Sequence, residues 1–551
     1  MSAKAEVDFS GRVEIDSPQK YFEYCLSLRN RFENPPEVRL ELYSQAPSGK
    51  PSVGAVDIAA TTAIQCYAPG IASMKPREDE KSLAITTSTL NAGHNTTRLH
   101  THYTWKLIGV SRSVTHDIFH STPFYNSEQQ SQRYVEAKMG NFLVPADLDK
   151  RQRELFVESA NYANKAYFEM LELLRSEVER RLRAMYPKGG RIAEERLQRK
   201  IPKVCQEVAR YVLPIGQLTV FDHTLSELQL LRLFQASRLP NFTDEGRYVI
   251  ASMVEEVAKD DPTILAELRK PLEEDEAVIF KEQYIIEQRE EFDTLLGDRQ
   301  SKLLLFDERS RQVLAFAARN ILGVSRGQIS EAEVLGLLFD PQKNRLLADV
   351  NETGMFDPLT SCLRQISMTF ATRLSHTADS QRQRHRRTPG ATPVLGESTL
   401  LALSKSGPDF FTPMIVREND MLRGKYERKM SEIYRNVLRC FESGIPVEDS
   451  LLLFPNGQSI RVVEQGDGFD WLHRWKQRLC YNAQEEIFFI SVEQVEQFLP
   501  FLSEAGKIVL APCGIRQSAG IKPRCPEGGD RWCGKPVFNF DISEYANHRL
   551  V

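Results

Sequence analysis

Residues 381–387 read Gln-Arg-Gln-Arg-His-Arg-Arg and place five cationic or imidazole side chains within six residues. Like charges at this spacing repel one another, so the run predicts an anion that neutralises them. Charge alone leaves two further interpretations, a solvated basic surface and a nucleic-acid patch. The run contains no interleaved aromatic side chain on which bases could stack, which disfavours nucleic acid.

The spacing inside this run is more specific than its charge. Gln381, Arg384, His385 and Arg386 follow the order Gln-x-x-Arg-His-Arg. This order resembles the motif of flavin-dependent thymidylate synthases, the ThyX family, in which the segment contacts both the flavin and the nucleotide. The resemblance implies that Gln381 and Arg384 bind the nucleotide, and that Arg384, His385 and Arg386 bind FAD.

A second stretch of the same half matches the family. Arg478 begins a segment over 478–487 that is similar to the family's R-x4-AQ-x-EI helix, and His473 precedes it by five residues. The resemblance implies that His473 lies against the flavin. It also makes Arg478 the catalytic residue, because a guanidinium beside the pyrimidine stabilises the negative charge that develops there.

The first half carries different pieces of the same pattern. Residues 126–134, NSEQQSQRY, resemble the family's NEQ-SQRY stretch, in which a serine, the next backbone N–H and an arginine hold the nucleotide phosphate. A hydroxyl, a backbone donor and a forked guanidinium can together surround a dianion. The resemblance therefore assigns Ser131, Gln132 and Arg133 to the nucleotide, and Gln129 to the cofactor.

Two shorter stretches complete the first half. Residues 206–214, QEVARYVLP, resemble the family's E-x-AR-x-x-LP, whose arginine faces the nucleotide. The resemblance adds Arg210 to the nucleotide-binding residues. Residues 93–96, GHNT, are similar to the family's GH-x-T turn near the flavin. Thr96 is accordingly expected to contact the cofactor.

The two halves repeat one pattern, which predicts a tandem duplication. In each half an amphipathic helix leads to an apolar-Pro corner, and an arginine follows. Pro214 precedes Arg238 by 24 residues, and Pro455 precedes Arg478 by 23. The two corners recur with a period of roughly 240 residues, which is too long for a solenoid repeat and is typical of a duplicated domain.

Each half lacks what the other retains. The first half has His120-Ser121-Thr122 where the family has Arg-His-Arg, and the second has Ser450 but no arginine before its Phe454-Pro455 corner. In the family's tetramers the two sets of residues come from neighbouring subunits. We therefore expect one composite site formed by both halves, one inactive pseudo-equivalent site, and a homodimer that imitates the tetramer.

The expected fold class is α+β, with two tandem ThyX-like domains that each hold a central sheet flanked by long helices. Apolar periodicity predicts helices over 155–182 and 421–441, and β-rich runs predict strands over 82–87 and 103–110. The expected segments are an N-terminal extension at 1–50, a first domain at 51–270, a charged helical connector at 271–300, a second domain at 301–510, and a Cys-containing tail at 511–551.

Composition excludes several classes of protein. Of 551 residues, 41% are hydrophobic and 26% charged, so the chain is neither disordered nor a disulfide scaffold. The net charge of −4 shows no global basic excess for nucleic acid. The sequence contains no signal-peptide pattern and no apolar run of 18 residues, so we expect no membrane association and a cytoplasmic location.

The nine cysteines predict reduced thiols in such a compartment. Cys513, Cys525 and Cys533 are spaced like part of a metal site, but no C-x-x-C pair is present and the fourth ligand is undefined, with Cys480 and His548 as guesses. Free thiols, and no metal, are therefore expected.

The resemblance implies reductive methylation of dUMP to dTMP at C5 of the base. Methylenetetrahydrofolate would supply the carbon and NADPH would reduce FAD. Three alternatives remain: a non-catalytic flavin- and nucleotide-binding homologue, a flavin-dependent C5 methylase of a related pyrimidine nucleotide, and a nucleic-acid binder centred on residues 382–387. Nucleic acid is the least favoured partner.

Overall fold

A computed structural model describes residues 17–43, 53–75, 80–122, 124–186, 191–272 and 282–551. Residues 1–16 and 44–50 of the predicted extension lie outside these residues. Pro187 and Gly189-Gly190, residue types that predict the end of the helix expected over 155–182, also lie outside them. Residues 273–281 of the predicted connector also lie outside the described residues.

Eight strands form two antiparallel sheets of four strands each. Their order is β1-β2-β4-β3 in one sheet and β5-β6-β8-β7 in the other, so the second sheet repeats the topology of the first. The strands are β1 (Glu37–Tyr43), β2 (His102–Ser111), β3 (Asn126–Gln129), β4 (Leu218–Ser226), β5 (Ser301–Phe306), β6 (Ser367–Ser375), β7 (Gly390–Ala391) and β8 (Ser459–Asp467).

Helices make up most of the remaining described structure and, with the two sheets, give the mixed helix-and-sheet class that the sequence predicts. They are α1 (Pro18–Ser27), α2 (Ala55–Gln65), α3 (Glu80–Asn91), α4 (Arg112–Ser121), α5 (Lys150–Met185), α6 (Arg191–Ala209), α7 (Glu227–Ala236), α8 (Asp244–Asp260), α9 (Ile264–Glu267), α10 (Glu282–Leu296), α11 (Ser310–Leu322), α12 (Glu331–Phe339), α13 (Pro358–Ser361), α14 (His376–Arg382), α15 (Glu397–Ser406), α16 (Met414–Arg417), α17 (Asp420–Glu442), α18 (Val447–Leu451), α19 (Gly468–Arg478), α20 (Glu485–Phe498), α21 (Pro512–Ser518) and α22 (Ile542–Tyr545).

The described residues group into two compact units that interleave along the chain. Unit 1 comprises those within 1–130, 143–149 and 218–279, and it holds the first sheet. Unit 2 comprises those within 131–142, 150–217 and 280–551, and it holds the second sheet. The predicted domain boundaries, 51–270 and 301–510, stay a prediction. Helices α5 and α6 fall within the first of these segments of sequence, but they belong to unit 2.

Local sequence decides some strands and not others. The predicted strand 103–110 lies within β2, where Tyr103, Trp105 and Leu107 alternate inward and are fully buried. The predicted strand 82–87 is wrong, because these residues lie in helix α3. Helix α3 packs against α2, and this tertiary contact outweighs the β propensity of the Ile-Thr-Thr run.

The two predicted long helices are confirmed as α5 and α17, which pack against each other in unit 2. Their buried faces follow the predicted intervals of three and four residues. In α17 the chain leaves the helix at Ser443, and Gly444 adopts a positive φ of 84° that suits a residue without Cβ. The buried residues of this face include Leu422, Tyr426, Met430, Ile433 and Val437.

No helix in the described part of the chain is both long enough and apolar enough to cross a bilayer.

Candidate functional site

The arginine-rich run of unit 2 starts from a fixed helix terminus. Ser375 ends β6 and caps α14, since its Oγ accepts a hydrogen bond of 3.0 Å from the Ala378 amide. The amide and hydroxyl of Ser375 both donate to the buried Glu486 carboxylate of α20, each over 2.6 Å. The start of α14 is thereby locked to α20, and Gln381 and Arg384 follow at defined positions.

Unit 1 contains an equivalent helix cap, in which Ser111 precedes α4 and donates to Glu245. The Ser111 amide donates to Glu245 over 2.7 Å and its hydroxyl donates to the same carboxylate over 2.5 Å. The ninth residue after this cap is His120, and the ninth after the cap of unit 2 is Arg384. The caps therefore support the sequence comparison in which His120-Ser121-Thr122 replaces Arg-His-Arg.

The first arginine of the run 382–387 is buried and is not part of a solvated basic surface. Arg382 is only 3% exposed; its Nε donates to Asp379 over 2.6 Å and its guanidinium pairs with Glu464 at 3.4 Å. Glu464 also pairs with Arg474, and both side chains are fully buried. A surface that binds nucleic acid through phosphate contacts needs accessible cations, so this network disfavours that alternative.

Arg478, the last residue of α19, is held by the same run. Its Nε donates to His385 Nε2 over 2.8 Å, its Nη1 donates to Gln381 Oε1 over 2.9 Å, and its Nη2 donates to the Gln381 carbonyl over 2.7 Å. Since Nε2 accepts, the proton of the neutral His385 ring lies on Nδ1. Burial, with the charges of nearby arginines, lowers the pKa of His385 well below its usual range, so the ring is neutral.

The site around Arg478 has an excess of positive charge. Burial is the main reason why the pKa of Arg478 is lowered to about 9, and the neighbouring guanidiniums add to the decrease; they belong to Arg474, Arg133 and Arg384. Such an arrangement is relieved when an anion binds, because an opposite charge favours the protonated guanidinium.

His473 lies beside His385, with the two ring centroids 5.4 Å apart and the rings nearly edge to face. Its Nδ1 is 2.6 Å from Glu352 Oε1, the same oxygen that Lys476 Nζ contacts at 2.6 Å. Although burial opposes ionisation, the hydrogen bond with His473 and the charge of Lys476 lower the pKa of Glu352 to about 2. Glu352 thus fixes the imidazole of His473 through one ring nitrogen.

The loop 131–134 supplies a second arginine to unit 2. Ser131 Oγ accepts a 3.2 Å hydrogen bond from the Arg133 amide. The Arg133 guanidinium pairs through Nε with Glu207 of α6, and its Nη2 donates to the Asn482 carbonyl over 2.6 Å. Asn482 follows Arg478, the predicted catalytic residue, by four residues. This hydrogen bond therefore connects the 131–134 loop to the segment directly after Arg478.

Arg210 is a buried arginine of the site with two unpaired donor atoms among the described residues. It is 2% exposed, yet its Nε and Nη2 have no hydrogen-bond partner among the described residues. Asn456 Nδ2 holds the Arg210 carbonyl at 3.1 Å and Gln132 Oε1 at 3.2 Å, while Gln132 Nε2 also lacks a partner among those residues. Unpaired buried donors are costly, so this pair of side chains is suited to an anionic, hydrogen-bonding ligand.

Unit 2 brings together ten of the twelve residues that the sequence proposed for the site. They are Ser131, Gln132, Arg133, Arg210, Gln381, Arg384, His385, Arg386, His473 and Arg478. The remaining two belong to unit 1, where Thr96 is exposed and Gln129 is half-buried at the end of β3.

The sequence analysis missed three residues that position this set. Glu207 lies inside the quoted E-x-AR stretch, and Asn482 lies inside R-x4-AQ, so both were within reach of motif comparison. Burial raises the pKa of Glu207, but the charges of Arg133 and Arg210 outweigh burial and leave it below its usual range. Glu352, which holds a positive φ of 57°, carries no local sequence signal.

The sequence profile of the family described as "Thymidylate synthase complementing protein" (Thy1) matches residues 52–263 and 302–501. Together these matches cover well over half of the chain, which therefore belongs to this family. Two separate matches also confirm that the family domain occurs twice in tandem. Membership makes the chain a methyltransferase-like enzyme.

Two curated relatives illustrate the similarity. The flavin-dependent thymidylate synthase of Clostridium tetani (strain Massachusetts / E88) is 29% identical over 212 residues, which is 38% of this chain and 79% of that protein. The flavin-dependent thymidylate synthase of Nitratidesulfovibrio vulgaris is 29% identical over 178 residues, 31% of this chain and 64% of that protein.

Among solved structures, the UMP/dUMP methylase PolB from Streptomyces cacaoi bound with 5-Br dUMP superimposes with a TM-score of 0.30 and 18% identity. The superposition covers 42% of this chain and 94% of that chain.

Proposed function

We propose that the chain catalyses FAD-dependent reductive methylation of dUMP to dTMP, with methylenetetrahydrofolate and NADPH as co-substrates, at one composite site formed by both sequence halves. The observation that carries the proposal is the cationic site of unit 2. There Arg478 is held by Gln381 and His385, while Nε and Nη2 of the buried Arg210 have no hydrogen-bond partner among the described residues.

The nucleotide phosphate accounts for the unpaired donors. A dianion near Arg210 would accept from its free N–H groups, and Ser131 and Arg133 would add a hydroxyl and a second guanidinium from the 131–134 loop. Gln381 and Arg384 would complete the nucleotide contacts, and Gln132 would donate its free amide hydrogen. Arg133 keeps its carboxylate partner Glu207, so the positive charge of the site is partly balanced before the nucleotide arrives.

Arg478 is proposed to act on the pyrimidine. With a pKa of about 9, its guanidinium stays protonated at neutral pH. Three hydrogen bonds to Gln381 and His385 fix its plane, so its charge requires no reorganisation when negative charge develops on the base. No cysteine nucleophile is needed for this type of activation.

The other face of the 384–386 segment fits a flavin. His385 is neutral and buried, and its Nδ1 has no hydrogen-bond partner within the described residues, so it can donate to a ring acceptor. Arg384 and Arg386 are partly exposed and suit a diphosphate, and His473 lies against His385. When bound, FAD would pass a hydride from NADPH to the transferred carbon. Thr96 and Gln129 stay proposed cofactor contacts.

The test is turnover by the purified full-length chain. We expect a yellow protein whose NADPH oxidation is stimulated by dUMP, and dTMP formation, measured by mass spectrometry, that requires methylenetetrahydrofolate. Flavin and nucleotide binding without turnover would instead support the non-catalytic homologue. Faster methylation of UMP than of dUMP would support the related C5 methylase. A colourless protein that binds neither ligand would contradict all three.

A further inference from the structure

The tail after residue 510 lies outside both family matches, the second of which ends at residue 501. It nevertheless contacts the motif segment that follows Arg478. The Tyr481 hydroxyl donates to the Tyr545 carbonyl over 2.6 Å, and the Tyr545 hydroxyl accepts from the Ala511 amide over 3.2 Å. The start and the end of the tail are therefore joined beside Tyr481.

The tail also contacts the next two residues of the motif. Asn482 Nδ2 donates to the Arg531 carbonyl over 2.6 Å and to Glu527 Oε2 over 3.0 Å. Arg549 Nη2 donates to the Ala483 carbonyl over 2.7 Å. Three consecutive residues, named here the clamped segment 481–483, are thus held by the tail.

Arg549 is a buried arginine near the end of the tail, and it is only 3% exposed. Its Nε donates to a backbone oxygen of Val551 over 2.8 Å, and its guanidinium carbon lies 4.4 Å from the centre of the Phe488 ring. A guanidinium that stacks on an aromatic face and donates to two backbone oxygens is fixed in plane and direction. The Ala483 carbonyl therefore has a rigid donor.

The clamped segment in turn holds Arg133, the arginine of the 131–134 loop. The Asn482 carbonyl accepts from Arg133 Nη2 over 2.6 Å. Glu207 pairs with Arg133 Nε, and its other oxygen accepts from the Glu485 amide over 3.2 Å. Both groups that orient the Arg133 guanidinium thus depend on the backbone over 482–485.

The carbonyls of Asn482 and Ala483 belong to adjacent peptide units. Each peptide unit is planar, so the two carbonyls turn relative to each other only about φ and ψ of Ala483. Arg549 fixes the second carbonyl, and the hydrogen bonds of the Asn482 side chain fix the residue before it. The direction of the Asn482 carbonyl is thereby set from both ends.

We propose that Arg549 is a positioning residue of the nucleotide site: by holding the Ala483 carbonyl it directs the Asn482 carbonyl, and through it the guanidinium of Arg133. The inference rests on the proposed role of Arg133 at the nucleotide phosphate. Arg478 keeps its own hydrogen bonds to Gln381 and His385 when Arg549 is replaced. The loss of Arg549 therefore weakens nucleotide binding and leaves the chemical step intact.

The first experiment is a double-mutant cycle on dUMP binding by the full-length chain, measured by calorimetry. We expect R549A to raise the Kd for dUMP about 5- to 10-fold, as for the loss of one hydrogen bond. The double variant R133A/R549A should bind no more weakly than R133A, because Arg549 acts through Arg133. Losses that multiply in the double variant would overturn the proposal.

The control is R516A, another arginine of the tail, whose Nε donates within the tail to the Pro523 carbonyl over 2.9 Å. It should keep the wild-type Kd. In steady-state turnover R549A should raise KM for dUMP by the same factor as Kd and keep kcat within about twofold of wild type. A fall in kcat with KM unchanged would overturn the positioning role.

Hydrogen exchange of the ligand-free protein separates this inference from the proposed function. In R549A, and not in R516A, residues 481–485 and the 131–134 loop should exchange faster than in wild type. Unchanged exchange at 131–134 would overturn the inference. A wild-type chain that binds no dUMP would instead contradict the proposed function, while faster exchange at 131–134 in R549A would still support the link from Arg549 to Arg133.

The tail has other anchors that should let R549A fold. Arg181 Nη1 donates to the Leu550 carbonyl over 3.3 Å, and the Tyr186 hydroxyl donates to the Cys533 carbonyl over 2.7 Å. If R549A is nevertheless unfolded, the wild-type chain supplies the test. Coupling between two sites is reciprocal, so saturating dUMP should slow hydrogen exchange over 545–551. Exchange there that dUMP leaves unchanged would overturn the proposal.

Discussion

Pro214 and Pro455 face each other in an antiparallel backbone pairing with an internal two-fold relationship. The backbone amide of Ile215 donates to the Phe454 carbonyl over 2.8 Å, and the backbone amide of its counterpart Asn456 donates to the Leu213 carbonyl over 2.7 Å. In both bonds the equivalent residues are 241 positions apart. The duplicated corners of the sequence thus meet inside unit 2 as a symmetric pair.

This pairing gives the register for comparing the two corners. Counting back four residues from Pro214 reaches Arg210, whereas counting back four from Pro455 reaches Leu451. The sequence comparison placed the missing arginine of the second half at Ser450. The register of the paired prolines places it one residue later, at Leu451. One corner has kept a guanidinium and its equivalent has an aliphatic side chain, which agrees with one competent site for each chain.

We expect R133A and R384A each to weaken dUMP binding by about 1.5–3 kcal/mol, or roughly 10- to 150-fold in Kd, because each removes a charge-assisted phosphate contact. The two residues are some 250 positions apart and lie in different halves of the sequence. Similar losses of dUMP affinity in both variants would therefore show that both halves contribute to one site. Isothermal titration calorimetry measures the effect, with H120A as the control that should bind normally. Normal dUMP affinity in R133A would contradict the composite site.

Arg478 should set an upper pH limit on nucleotide binding. Its pKa of about 9 means that the guanidinium loses its proton as pH rises through that value, so affinity for dUMP should fall between about pH 8 and 10. R478K cannot repeat the three hydrogen bonds, and we expect its kcat to fall about 10²- to 10³-fold.

The control for this variant is R238K, at the arginine of the first half that the sequence comparison paired with Arg478, which should retain full activity. The pH dependence of dUMP affinity is measured by flavin fluorescence in wild type and in R478K. The difference between the two profiles isolates the titration of Arg478 from that of other groups. A wild-type affinity that is constant up to pH 10 would exclude Arg478 as the titrating contact.

The duplication predicts stoichiometry. Two chains supply four family domains, so we expect a homodimer that imitates a tetramer, with one FAD and one nucleotide for each chain. The pseudo-equivalent sites offer His120-Ser121-Thr122 and no arginine at 451, and they should stay empty. Light scattering and a flavin titration decide this. Two flavins per chain, or a fully active monomer, would contradict the pseudo-tetramer.

His223 should make unit 1 sensitive to acid. It is fully buried among Phe119, Tyr125 and Phe221, and burial lowers its pKa to about 3. Protonation therefore favours the unfolded state, in which the pKa is near 6.5, and stability present above pH 6.5 is lost as pH falls toward 3.

Between pH 6.5 and 5 this residue should cost about 2 kcal/mol, a loss that H223F should not show. Urea unfolding at several pH values measures the difference between the two slopes, and H100Q, at an exposed histidine, is the control that keeps the wild-type slope. Identical slopes in H223F and wild type would refute the assignment.

Motif order and helical periodicity can be read from the sequence because they are local. The spacing of Gln381, Arg384 and His385 indicated the family, and intervals of three and four residues located α5 and α17. The tandem arrangement also followed, since equivalent corners recur with similar spacing. The substituted triplet at 120–122 belongs with these features, because the loss of a guanidinium is a change of residue type and is independent of what surrounds it.

What depends on distant partners required the tertiary structure. The burial of Arg382 against Asp379 and Glu464 turned an apparent surface charge into an internal network, and the packing of α3 on α2 overrode local β propensity at 82–87. The neighbours that bury Arg210, and leave its Nε and Nη2 without a hydrogen-bond partner among the described residues, come from segments that only the folded chain brings together. Charge pairing and burial are properties of neighbours in space, and no local spacing records them.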